Sequence, residues 1–134
     1  MKKITFLFLI FVGVLQAQIV SIPDANFKAK LLSANTTNQI AMNSQFQYFK
    51  IDANNDGEIQ VSEASEVFLL NINNSSLPNP NAILTISGIE SFVNLKELNA
   101  SLNNISTFNY NLPLLEKLYF TSNNLTTVDL SGTP

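Results

Sequence analysis

The sequence contains no cysteine, no histidine and no arginine. Without cysteine there is no disulfide framework, no thiol nucleophile and no thiolate metal site. Without histidine the usual general base and the commonest transition-metal ligand are gone. Without arginine no planar fork is available to grip a phosphate or carboxylate through two parallel hydrogen bonds. The formal charge is −3, and no basic cluster follows the first three residues, which argues against a nucleic-acid partner. A chain of 134 residues suffices for one small domain and little more.

What is present begins with a leader. Lys2 and Lys3 form a positive n-region, Ile4 to Leu15 is an apolar or weakly polar run, and Leu15-Gln16-Ala17 offers a cleavage site. The run is short for a bilayer span. Residues 1–17 are therefore expected to be a signal peptide, leaving no membrane span after cleavage and a secreted, extracellular or cell-surface product. Removing Lys2 and Lys3 leaves five lysines against ten acids, a net charge of −5.

Asp52-Ala-Asn-Asn-Asp-Gly-Glu-Ile-Gln-Val-Ser-Glu63 carries the strongest chemical signal. Oxygen-bearing side chains stand at its first, third, fifth and twelfth positions (Asp52, Asn54, Asp56, Glu63), with Gly57 sixth and Ile59 eighth. That is the spacing of an EF-hand calcium loop. Calcium wants about 6–8 oxygens, so a short loop must turn alternate side chains inward, and a glycine at the bend avoids a φ > 0 penalty. The expected ligands are Asp52, Asn54, Asp56, Glu58 through its backbone carbonyl, and Glu63 through both carboxylate oxygens, with Gln60 acting through water. An Asp/Asn/Gly-rich surface turn is the plainer alternative.

Before the loop, Ser21-Ile-Pro-Asp24 reads as a helix start with Ser21 as N-cap, and Phe27, Leu31 and Leu32 give an apolar stripe. A second helical pattern covers 40–50, with Met42, Phe46 and Phe49 on one side. After the loop, Ser62 to Glu66 allows one helical turn before the β-forming run from Val67 to Ile72. From Leu95 the chain repeats every ten residues. Leu95, Ile105, Leu115 and Leu125 form one column, Leu98, Phe108, Leu118 and Val128 a second, and Ala100, Tyr110, Phe120 and Leu130 a third. Asn103 recurs as Asn123, making the period of twenty the stronger one, and such an asparagine can turn inward to satisfy the bend after a strand. A looser copy begins at Val67 and includes Leu70, Ile72, Ser75 and Leu77. Leu-x-x-Leu-x-φ-x-x-Asn-x-Leu is the leucine-rich-repeat signature. The expected fold is α/β: a leucine-rich-repeat solenoid of parallel strands, about three turns long, over 67–134. An N-terminal helical cap over 18–66 would carry the half EF-hand loop 52–63.

Taken together, IPDANFKAKLL, IDANNDGEIQVSEA, GIESFVNLKELNAS and NNLTTVDLSGTP resemble the secreted leucine-rich-repeat proteins of Bacteroidetes-type bacteria. The resemblance implies a surface or secreted binding module, in a family whose members are often longer and end in a sorting domain. The ladder expects another leucine after Pro134, so the chain reads as truncated at its C-terminus. The expected function is a calcium-stabilised interaction module for a protein or surface-glycan ligand, not an enzyme. Its ligand face would hold Asn71, Asn73, Glu97, Asn99, Ser101, Lys117, Tyr119 and Thr121, with Tyr119 as anchor. The competing expectations are an accessory part or fragment of a secreted hydrolase or adhesin, for example one using Asp52 with Glu63, and a structural segment with no ligand of its own.

Overall fold

The computed structural model describes residues 17–75 and 78–134. The predicted leader, apart from Ala17, and Leu77 lie outside the described residues.

Helix α1 (Ala25–Leu32) starts where Asp24 supplies its carboxylate to the backbone N–H groups of Asn26 and Phe27, both at 2.9 Å. The N-cap is therefore Asp24 rather than Ser21, since a short carboxylate one residue before the helix reaches both unpaired amides. Phe27 and Leu31, one turn apart, are fully buried. The second oxygen of Asp24 accepts from Leu84 N at 2.8 Å and Thr85 N at 3.2 Å, some sixty residues away. One carboxylate thus starts the first helix and ties it to the middle of the chain. Burial alone would raise the Asp24 pKa, but the four backbone donors outweigh it and the carboxyl sits below its usual range. A folded value below the unfolded one, about 3.9, gives stabilisation that is complete above that pH and is lost as pH falls through the folded value. Asp24→Ala should cost about 1–2 kcal/mol by urea denaturation at neutral pH, and the variant should lose less stability than the parent between pH 5 and pH 2.

The helix expected over 40–50 is replaced by a bent ribbon. Strand β1 (Ala41–Met42) is followed by a turn, and Met42 bridges antiparallel to Tyr48. Asn43 causes the reversal, its carboxamide oxygen accepting from Gln45 N and Gln47 N, both at 3.0 Å, in competition with helical bonding. Phe46 takes a left-handed φ of 58° and is 80% exposed, so it is not the core residue its spacing suggested. Helix α2 (Val61–Ala64) is a single turn, as expected, but it starts one residue earlier, inside the loop, and ends two residues short of Glu66.

The strands that follow are each three residues long: β2 (Leu69–Asn71), β3 (Glu97–Asn99), β4 (Thr107–Asn109), β5 (Lys117–Tyr119) and β6 (Thr127–Asp129). They form two sheets, one ordered β1-β2-β3-β5 and the other β4-β6. This overturns the expected leucine-rich-repeat solenoid: the described residues form a small mixed α/β fold with few helices and six short strands. The physical reason lies in the period of ten. Successive units fall alternately into different sheets, so hydrogen bonds join β3 to β5 and β4 to β6 rather than consecutive strands. The first sheet is also mixed, because β1 pairs antiparallel to β2 while β2, β3 and β5 run parallel.

The apolar columns meet in one core. Val67, Leu70, Ile72, Leu95, Leu98, Ile105 and Phe108 are at most 1% exposed and join Phe27, Leu31, Ile51 and Ile59 from the N-terminal part. Phe108 is held edge-on by Tyr110 and Phe120, with ring centroids 5.5 and 5.3 Å away. Val128 and Leu130, the last of their columns, are about half exposed because no described strand lies beyond β6. Among the described residues no helix is long and apolar enough to cross a membrane.

Candidate metal centre and binding face

The loop 52–63 is held at both ends. Ile51, before it, and Ile59, within it, are fully buried. The Ile59 carbonyl accepts from Val20 N at 2.8 Å, and Gln60 bridges Ile19. The bend needs two left-handed residues, Asn55 at φ 62° and Gly57 at φ 80°. These residue types occupy that region at least cost.

Its side chains form one network. Asp52 is 5% exposed, and its carboxylate accepts from Asp56 N at 3.2 Å and Gly57 N at 3.4 Å. The Lys50 ammonium stands 4.0 Å from it and also reaches Asn55. Asp56 accepts from Glu58 N at 2.9 Å, from the Asn54 amide at 2.8 Å and from the Gln60 amide at 2.7 Å. The Glu58 amide does most to hold the Asp56 carboxyl below its usual range, followed by Asn54, with Gln60 and the nearby Lys28 adding to it. Glu63 closes the loop, taking Ala53 N at 2.8 Å on one oxygen and Gln60 N at 3.0 Å on the other.

Four of the five expected ligands, Asp52, Asn54, Asp56 and Glu63, therefore belong to one hydrogen-bonded circuit. The Glu58 side chain turns away to pair with Lys28 at 2.7 Å, which suits the expectation that only its backbone carbonyl would serve. The buried Gln60 carboxamide donates directly to Asp56 at 2.7 Å. Among the described residues no three acidic side chains converge on one point. The donor set nonetheless fits calcium: it is all oxygen, and the buried Asp52 carboxylate is compensated only by two long backbone contacts and a lysine at the limit of ion pairing.

The expected ligand face is assembled by strand register. Asn71, Asn99 and Tyr119 align in one row across β2, β3 and β5, while Glu97 and Lys117 align in another. Lys117 donates to Glu97 at 3.1 Å, and that bond and charge raise the lysine's pKa. Beyond the strands, the chain around Asn73, Ser101 and Thr121 stays aligned through Asn74 N to the Ser101 carbonyl at 3.3 Å and Leu102 N to the Thr121 carbonyl at 2.9 Å. Two members of the face are partly engaged, since Asn71 and Asn99 accept from the amides of Asn73 and Ser101 at 3.3 and 3.1 Å. Tyr119 is 46% exposed.

Sequence reasoning missed the corner of this face. Phe46 and Phe68 line a hollow of about 200 Å³ with Lys96, Glu97, Glu116 and Lys117. Lys96 and Glu116, paired at 2.7 Å across the β3–β5 step, stand twenty residues apart. The period of twenty is a usable signal for that pair, whereas the spacing of Phe46 points to the core side of a helix. Comparison of the chain with protein-family models, with curated proteins and with solved structures returns no match in any of the three.

Proposed function

We propose that the chain is an exported interaction module in which the strand face around Tyr119 engages a protein or surface-glycan ligand and calcium in the loop 52–63 steadies the N-terminal part. The observation that carries this reading is the juxtaposition of the loop with two segments it must hold together. Ile59 and Gln60 pair with Val20 and Ile19 on one side, and α2 leads directly into β2 on the other. Asp52, Asn54, Asp56 and Glu63 would supply side-chain oxygens and Glu58 its carbonyl. The chemistry calcium supplies there is charge: it neutralises carboxylates crowded into a short loop. The role is structural rather than sensory, because a single-turn α2 followed by a strand leaves no pair of long helices to open.

A ligand that binds only the folded state stabilises by RT ln(1 + [L]/Kd), about 2.7 kcal/mol at 100-fold above Kd. Thermal melts of the mature chain should therefore rise by several degrees between excess chelator and saturating calcium. Affinity should be on the order of 10⁻⁴–10⁻³ M, as in extracellular modules, since among the described residues no second loop pairs with this one. Glu63→Gln should lower the baseline modestly and abolish the calcium response. An unchanged midpoint in the parent chain, or an undiminished response in the variant, would sink the calcium role.

The face is tested separately by binding to arrayed glycans and surface proteins. Truncating an exposed aromatic anchor costs on the order of 2 kcal/mol, so Tyr119→Ala should weaken a genuine ligand at least tenfold. Equal retention by parent and variant would remove the face from consideration.

A further inference from the structure

A cleft of about 370 Å³ lies between α1 and the segment that follows β2. Asn26 and Lys30 form its helical wall, and Asn74, Asn79 and Asn81 form the other. Ala29 and Ile83 contribute a small apolar area. Among the described residues no acidic side chain lines it.

Lys30 differs from every other lysine among the described residues. Lys28, Lys50, Lys96 and Lys117 each face a carboxylate within 4.0 Å. Lys30 instead donates to the backbone carbonyl of Asn73 at 3.2 Å and has no anionic partner there. Burial lowers its pKa, with no opposing carboxylate to restore it. A half-buried ammonium paired only with a neutral oxygen leaves part of its charge uncompensated.

Three of the four asparagines around it are held but not saturated. Asn26 donates to the Ala82 carbonyl at 3.2 Å, and Asn74 donates to Asn103 at 2.6 Å, so each keeps its carboxamide oxygen as an acceptor. The Asn79 oxygen accepts from Asn81 N at 2.8 Å, leaving its amide N–H groups to donate. The Asn81 carboxamide bonds to no other described group. A wall of paired amide donors and acceptors beside one cation matches a ligand with adjacent hydroxyls and a single carboxylate.

We propose that this cleft binds a carboxylated sugar of the uronic-acid class, with Lys30 meeting the carboxylate and Asn74, Asn79 and Asn81 meeting ring hydroxyls. A phosphate is the poorer fit. A dianion calls for more than one cation or an arginine fork, and the first amides of α1 are already taken by Asp24. The site is separate from the strand face, because none of the described residues that line it belongs to that face.

The test is amide-resolved NMR titration of the mature chain with sodium galacturonate, glucose and inorganic phosphate in parallel. Galacturonate should move the side-chain amide signals of Asn79 and Asn81 and bind at least tenfold more tightly than glucose. Lys30→Gln should remove that preference while leaving the thermal midpoint within a degree or two, and Asn81→Asp should weaken galacturonate by charge repulsion. Should Lys30→Gln fail to fold, Asn81→Asp decides alone. Equal binding of galacturonate and glucose, a response to phosphate only, or an unaffected Asn81→Asp variant would each overturn the assignment.

Discussion

Asn103→Ala is expected to remove about 3–5 kcal/mol of stability, a large share of the 5–15 kcal/mol typical of a small domain. Asn103 is fully buried, and its side chain is a hub. The amide donates to the carbonyls of Ile72 at 3.1 Å, Ala100 at 3.0 Å and Ser101 at 3.3 Å. The oxygen accepts from Ile83 N at 2.9 Å and from the Asn74 amide at 2.6 Å. Alanine would leave these groups facing a void that also lacks packing atoms. Each buried polar group left unpaired costs about 1–3 kcal/mol, and relaxation or an entering water recovers part of the sum. Asn123 provides the internal control. It repeats three of these five contacts one period later, to Ala100, Phe120 and Ile105, without counterparts to the Ser101 and Asn74 bonds, and is only half-buried. Asn123→Ala should therefore cost about 1–2 kcal/mol, because solvent reaches the orphaned groups. Urea denaturation checks both, and the slope should stay constant if only stability has changed. Equal losses in the two variants would show that burial does not set the value of this asparagine.

Gly88→Ala should cost about 3 kcal/mol, for two separable reasons. The backbone there has φ +100°, a region that L side chains rarely adopt, and an added Cβ would lie 2.7 Å from the Ser21 carbonyl oxygen. It would also press on Ile22 and Val20, so the strain reaches the segment that pairs with Ile59. Gly57 separates the two effects. Its φ is +80°, but an added Cβ meets nothing within 4 Å. Gly57→Ala should then cost only the conformational part, about 1–2 kcal/mol. A Gly88→Ala variant no less stable than Gly57→Ala would mean that the N-terminal segment yields freely at Ser21.

Much of this behaviour was legible residue by residue. The columns beginning at Leu95, Leu98 and Ala100 identified the core because side chains repeating at a fixed interval must share one environment if the backbone repeats with them. The inward use of Asn103 followed from its position after a strand, and the loop 52–63 was set by the local demands of Asp, Asn and Gly at a tight bend. Those are short-range properties, carried by the chain wherever it goes. The ribbon after Ile40 was misread for the complementary reason. Met42, Phe46 and Phe49 fit a helical stripe, yet the carboxamide of Asn43 and the pairing of β1 with β2 override so weak a preference.

What the sequence by itself determined is the apolar columns from Leu95 to Phe108 that fill the core, the bend at Asn55 and Gly57 and the oxygens that crowd the loop. Only the tertiary structure decided how the ten-residue units are distributed, because a period of ten is compatible with one sheet or with two. Strand partners are chosen by long-range hydrogen bonding: β3 selects β5 and β4 selects β6, twenty residues apart. The same long-range choice leaves Lys30 without a carboxylate in a wall of asparagines and sets Tyr119 in a row with Asn71 and Asn99. Local chemistry is written along the chain, but which distant groups face one another depends on the packing of the whole.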